Sequence, residues 1–212
     1  MAEHRSREER RDSGEARIVA FAGSLRRGSY NRALVRAAVE LAPEGMTIVP
    51  IEIGDMPFYN ADVEAVGDPE PVAAYKARIR EADGLLIATP EYNDGVPAVL
   101  TNAVDWGSRL PGNSPLHGKA VAIMGASPSQ IGTARAQPHL RQILGHAGAR
   151  VLPPPELLVA SAHQRFDAEL RLTHEPTRIV MATLLERLLR WIERERAANA
   201  VEREIRAETA RR

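Results

Sequence analysis

The chain has 212 residues, with 28 Lys plus Arg against 28 Asp plus Glu. Its formal net charge is therefore zero, and no basic surplus marks it for nucleic acid or an anionic membrane surface. Hydrophobic residues at 44% and charged residues at 26% suit a soluble domain with a core of its own, and the lack of any cysteine excludes disulfides, thiol nucleophiles and thiolate metal sites.

The first residues, 1–16, are rich in charge and have no apolar centre. They read as a disordered charged leader rather than a secretory signal. No stretch approaches the roughly 20 apolar residues that span a bilayer. A cysteine-free chain also fits a reducing environment, and a cytoplasmic location is the expectation.

Short apolar strands then alternate with longer stretches of helical spacing. Ile18 to Ala22 is a strand ending at Gly23. Asn31 to Leu41 is a helix with Leu34, Val35, Ala38 and Leu41 on one side. Met46 to Ile51 is a second strand and Pro71 to Ala82 a second helix. Leu85 to Thr89 is apolar throughout, as a strand covered on both faces should be. Val96 to Ser108 is a helix that tolerates Pro97 in its first turn. Ala120 to Met124 is a fourth strand, and Ile131 to His146 a helix closed by Gly148. Arg150 to Leu152 begins a fifth strand before Pro153-Pro154-Pro155, and a last helix runs from about Pro176.

Strand and helix alternate throughout, which predicts a parallel sheet in a three-layer α/β sandwich with right-handed crossovers. In such sheets a ligand sits beyond the carboxyl ends of the strands, where the strand order reverses. The loops after strands one, three and four are therefore the expected site. Three regions result: the leader 1–16, one domain over 17–192, and a charged helical extension over 193–212. Arg and Glu at i,i+4 spacing make that extension a solvated helix or a partner-binding one.

The loop Gly23-Ser24-Leu25-Arg26-Arg27-Gly28-Ser29-Tyr30-Asn31 joins strand one to helix one. Glycine permits tight turning and close backbone approach. The helix that follows offers free N–H groups and a positive dipole end, a site for a phosphate. Ser24, Ser29 and Asn31 add hydrogen-bond donors and Arg26 adds charge. The same loop also reads as a plain turn with Ser29 or Asn31 as N-cap. Two alternatives drop out. Ser29-Tyr30 stands where a nucleotide-hydrolysing P-loop needs Lys-Ser/Thr, and Gly23-Ser24-Leu25 breaks the GxGxxG dinucleotide fingerprint. After strand three, Pro90-Glu91-Tyr92-Asn93-Asp94-Gly95-Val96-Pro97 is stiffened at both ends and turns at Gly95. It can offer a rigid edge to a flat cofactor, or serve only to start a helix.

Gly-Ser-Leu-Arg-x-Gly-Ser-x-Asn, then Pro-Glu-Tyr-Asn, then Asn102-Ala103-Val104-Asp105-Trp106 together resemble the NADPH-dependent FMN reductase family. The likeness runs on through Ser127, Ile131-Gly132-Thr133-Ala134-Arg135 and His139-Leu140-Arg141-Gln142, covering roughly 17–192. Asp94 departs from it, since close relatives often carry an aromatic there. The resemblance implies a flavodoxin-like five-stranded parallel sheet of order 2-1-3-4-5. It implies FMN as bound cofactor and NADPH as hydride donor. The acceptor would be a small molecule: flavin, quinone, chromate or azo compound. It assigns Ser24, Arg26, Ser29, Tyr30 and Asn31 to the FMN phosphate loop. Pro90, Glu91, Tyr92 and Asn93 would border the flavin ring, with Ser127 near its other edge. No protein nucleophile and no metal is expected, because the flavin carries the chemistry. A homodimer or homotetramer is implied as well. The competing reading is a flavodoxin-type electron carrier with a protein partner. Neutral charge and 4% aromatic residues weigh against it.

Arg109 and Arg135 are candidates for a second-substrate phosphate or for subunit contacts. Trp106 is expected in the core or an interface rather than stacked on cofactor. The six histidines form no close ligand cluster in sequence, and His139 and His146 merely share a helix face.

Overall fold

The computed structural model describes residues 14–210 except Pro111 and Pro155, with side chains as far as Ala197. The expected leader lies outside the described residues up to position 13, and the first strand already begins at Ala16. The strands are β1 (Ala16–Ala22), β2 (Met46–Pro50), β3 (Gly84–Ala88), β4 (Ala120–Ala126), β5 (Arg150–Val151) and β6 (Leu157–Val159). The helices are α1 (Tyr30–Glu40), α2 (Ala61–Ala65), α3 (Glu70–Glu81), α4 (Ala98–Gly107), α5 (Ala136–His146) and α6 (Glu175–Ala210), with a 3-10 turn at Ala162–Gln164.

The sheet is parallel in the order β2-β1-β3-β4-β5, the predicted topology. Successive strand residues point to opposite faces, and each face is buried by helices. Ile18, Ala20, Leu86, Ala122 and Met124 pack with α1 and α6. Val19, Phe21, Leu85, Ile87, Val121 and Ile123 pack with α3, α4 and α5. This two-sided burial is why the strands carry no polar alternation.

The fifth position is held by two short strands rather than one. β5 pairs with the first two residues of β4, Ala120 and Val121, and β6 with its last three, Met124 to Ala126. Between them the ladder lapses at Pro153 and Pro154, since proline donates no N–H. Helix α5 starts at Ala136, five residues later than its apolar spacing predicts. Gly132 has φ +65°, which a right-handed helix cannot include.

Helix α6 buries Met181, Leu184, Leu185, Leu188 and Ile192, the i, i+3/i+4, i+7 stripe of a helix laid on a sheet. It continues past 192 without a break. Glu195 pairs with Arg150, and Arg196 reaches Asp83 at 2.9 Å and the backbone oxygen of Glu15 at 2.9 Å. No helix among the described residues is long and apolar enough to cross a membrane.

Candidate functional site

The chain goes from β1 outward to β2 on one side, then to β3 on the other. The carboxyl ends of β1 and β3 therefore flank the crevice where strand order reverses. A cavity of about 220 Å³ opens there. It is lined by Ser24, Arg26, Ser29, Tyr30 and Asn31 from the loop after β1, by Pro90, Glu91 and Tyr92 after β3, and by Ala126, Ser127 and Pro128 at the end of β4. Nine of the ten residues expected from sequence thus meet in one place. Asn93 does not line the cavity. Ala126 and Pro128 were missed, although they flank Ser127 directly.

Close packing shapes the first wall. A Cβ on Gly23 would stand 2.4 Å from Leu100 Cδ1 and 3.1 Å from Pro90 Cδ, so only glycine lets the loop lie against α4 and the second wall. Ser29 is the N-cap of α1. Its buried Oγ accepts the N–H groups of Asn31 and Arg32 at 3.2 and 3.3 Å. With its lone pairs so used, the hydroxyl has its own proton to donate. The first turn of α1 contains no acidic residue, so its positive end is left for an anion. Arg26 is exposed at the rim. Tyr30 is half-buried against Phe166, ring centroids 5.2 Å apart.

Asn31 has a different task from the donor role expected of it. Its buried amide is spent on Ala126, with Nδ2 donating to the backbone oxygen at 2.9 Å and Oδ1 accepting the backbone N–H at 2.9 Å. The side chain ties the first wall to the third.

The second wall is a two-residue turn. Tyr92 and Gly95 exchange backbone hydrogen bonds at 3.2 and 3.0 Å. Asn93 and Asp94 between them have φ +50° and +62°. Positive φ at both central positions is the pattern of a type I′ turn, and Asn and Asp tolerate it where larger side chains do not. Asp94, the departure noted in sequence, is thus compatible with the backbone it sits on, and its carboxylate pairs with Arg135. The turn aims the half-exposed Tyr92 toward the first wall, where its hydroxyl donates to Ser24 Oγ at 3.3 Å.

Behind the second wall, Asn102 and Trp106 of α4 clamp the segment after β2. Asn102 Nδ2 and Trp106 Nε1 both donate to the oxygen of Pro57, at 3.0 and 2.8 Å, and Asn102 Oδ1 accepts from Tyr59 N at 2.8 Å. Trp106 is fully buried, as core. The Arg109 guanidinium lies over the Tyr59 ring, 4.6 Å from its centroid. The Tyr59 hydroxyl donates to Glu64 at 2.8 Å, and that bond, with burial, holds the phenol above its ordinary pKa while Arg109 opposes the shift.

A larger cavity of about 360 Å³ lies at the amino ends of β3 and β4, beside Asp83 and Lys119. Among the described residues, no helix begins in its lining. Its Asp83 carboxylate is already held by Arg17 N and Arg196. The chemistry of the smaller crevice decides between them. Serine hydroxyls, an uncompensated helix N-terminus and a rim arginine fit a phosphate, and at about 220 Å³ the hollow is below the roughly 300 Å³ of a pocket that encloses a whole ligand. It suits the phosphate end of a larger ligand rather than the whole of one.

Fold and crevice define a flavodoxin-like α/β protein with an open cavity at the switch point of its strand order. The sequence profile described as NADPH-dependent FMN reductase matches residues 16–164. The chain is 45% identical to an NAD(P)H-dependent FMN reductase of Pseudomonas aeruginosa, covering 86% of this chain and 98% of that one. It is 40% identical to a 2-hydroxy-1,4-benzoquinone reductase of Burkholderia, covering 83% and 96%. Among solved structures it resembles FerB, a flavoenzyme NAD(P)H:(acceptor) oxidoreductase of Paracoccus denitrificans, with TM-score 0.78, 34% identity, and coverage of 85% and 98%. The chain belongs to the NADPH-dependent FMN reductase family, a family of flavin-dependent NAD(P)H oxidoreductases.

Proposed function

We propose that this protein is an FMN-dependent NAD(P)H:quinone oxidoreductase that holds the cofactor's phosphate in the loop after β1 and its ring against the Pro90–Gly95 turn. When bound, FMN supplies a two-electron relay between a reduced nicotinamide and an acceptor. The residues of the crevice bind and orient. Ser29 and Ser24 donate hydroxyl protons to phosphate oxygens, with Arg26 adding charge from the rim. Pro90, Glu91, Tyr92 and Asn93 border the ring on one side and Ser127 on the other. Exposed Tyr92 forms one edge of the space where nicotinamide and acceptor stack in turn. The observation that carries this reading is the meeting of that donor set with a rigid turn at the strand-order switch. The quinone acceptor rests on the benzoquinone reductase relative.

The reading extends to organisation. Residues 17–192 form the FMN-binding unit, the extension 193–212 continues its last helix as far as Ala210, and the protein acts in the cytoplasm as a homodimer or homotetramer. Exposed Phe58, Val66 and Leu110 lie within two residues of the Tyr59–Glu64–Arg109 group and are the surface such an assembly would cover. Arg135 is ion-paired to Asp94 and Arg109 stacked on Tyr59, so each would have to exchange partners to take a substrate phosphate.

The test is an absorbance spectrum of the purified protein after FMN addition and desalting, then anaerobic NADPH or NADH, then a benzoquinone. Retained yellow colour that either nicotinamide bleaches and the quinone restores is the expected result. Colour that neither nicotinamide bleaches would make the protein an electron carrier instead.

A further inference from the structure

Helix α5 begins without a cap of its own. Its N-cap residue, Arg135, has helical backbone angles and no capping side chain nearby in sequence. Gly132, Thr133 and Ala134 before it offer little beyond the Thr133 backbone oxygen, which takes the N–H of Gln137 at 3.0 Å. The N–H groups of Arg135 and Ala136 point instead at one carboxylate oxygen. Glu91 Oε2 accepts them at 2.8 and 2.9 Å, from 44 and 45 residues away. A charged acceptor on two orphan donors at the positive end of a helix is a strong form of capping.

Glu91 stands between Pro90 and Tyr92, both of which line the crevice. Residue 135 is held a second time, because its guanidinium pairs with Asp94 on the same turn. Two acids of one turn thus take the backbone and the side chain of one residue. The Tyr92–Gly95 exchange closes the turn internally, the Tyr92 hydroxyl reaches Ser24 on the first wall, and α5 supplies the charged anchor on the other side.

Resting on the flavin reading above, we propose that Glu91 is a positioning residue: its carboxylate latches the Pro90–Gly95 turn to α5 and keeps the positive end of that helix from acting on the flavin ring. A bare helix N-terminus near the ring would favour the added electrons. Removing the charge therefore moves the flavin midpoint potential to more positive values. Removing the acceptor as well frees the turn.

Glu91→Gln and Glu91→Ala separate the two effects, measured on full-length protein. Glutamine keeps an oxygen for the two N–H groups but loses the charge. It should hold FMN within about threefold of the unaltered protein, a difference below 1 kcal/mol, while its midpoint potential rises. Alanine should bind FMN about tenfold more weakly or worse, the scale on which a lost cap is felt. In the FMN-free protein, hydrogen exchange at the Arg135 and Ala136 amides should speed up in the alanine variant and much less in the glutamine one. An unchanged potential in Glu91→Gln overturns the electrostatic half. Unchanged FMN affinity and unchanged exchange in Glu91→Ala overturn the latch. If the unaltered protein binds no FMN, the flavin reading fails, and the exchange at 135 and 136 still decides the latch.

Discussion

Asn31 and Ala126 are 95 residues apart in the chain and meet as a closed pair: the side-chain amide of one satisfies both backbone groups of the other, at 2.9 Å each. The amide continues the hydrogen-bonding edge of β4 where that strand stops, and so fixes the first wall of the crevice against the third. Asn31→Ala leaves a buried N–H and a buried C=O unmet. At about 1–3 kcal/mol for each orphaned group, the expected loss of stability is roughly 2–6 kcal/mol. Asn31→Asp keeps the shape but sets a carboxylate against the Ala126 oxygen, and should be at least as harmful. Chemical denaturation of the two variants is the check.

The phosphate assignment predicts a different signature. Arg26 is exposed and Ser29 is the N-cap of α1, so Arg26→Ala with Ser29→Ala should cost stability only on the scale of a lost cap, about 1 kcal/mol. FMN affinity should fall by far more, since each charge-assisted hydrogen bond contributes about 1.5–3 kcal/mol. Fluorescence titration with FMN reads the difference. Unchanged affinity in the double variant would remove the phosphate from this loop.

Asp94 sits at φ +62° with its carboxylate exposed on Arg135. An exposed pair contributes little, roughly 0–1 kcal/mol, whereas left-handed backbone strains a β-branched side chain by about 1–2 kcal/mol. Asp94→Gly should therefore keep or improve stability and FMN affinity, because glycine is favoured at this position of a type I′ turn. Asp94→Val should lose both. Equal behaviour of the two variants in thermal melts and FMN titration would mean that the ion pair, not the backbone, matters.

The hairpin before α6 should respond to acid. Asp167 accepts from Arg171 N and Nε, at 2.7 Å each. The backbone bond first, then the guanidinium, hold its pKa below the ordinary carboxylate value. A folded-state pKa below the unfolded one gives a contribution that is complete above the unfolded value near 3.8 and disappears as pH falls through the folded value. Below pH 3.8 the Phe166–Leu172 bridge should thus loosen in the native protein, while Asp167→Asn loses this pH dependence. NMR titration of the Asp167 carboxylate and the Arg171 amide follows it directly.

The alternation of elements and the parallel sheet were legible in the chain, because continuous apolar strands between amphipathic helices leave few topologies, while the strand order came from the family resemblance. Short-range chemistry was legible too: Ser29 caps α1 and Pro90 to Gly95 form a rigid turn, both local in sequence. Gly132 could have been read as the stop that delays α5 to Ala136, but the apolar spacing of Ile131 onward hid it. The split of the fifth strand was half-visible in three prolines that cannot donate to a ladder.

What composition and periodicity could not reveal are the bonds between distant loops. Asn31 reads as a donor for a ligand until folding sets Ala126 beside it. Glu91 reads as a ring-edge residue until the N-terminus of α5 arrives at 2.8 Å. Arg196, inside a run that looks like solvated helix, turns out to reach Asp83. Each depends on which polar groups the sheet brings within 3 Å, and that follows from the packing of whole elements, to which local propensity is blind.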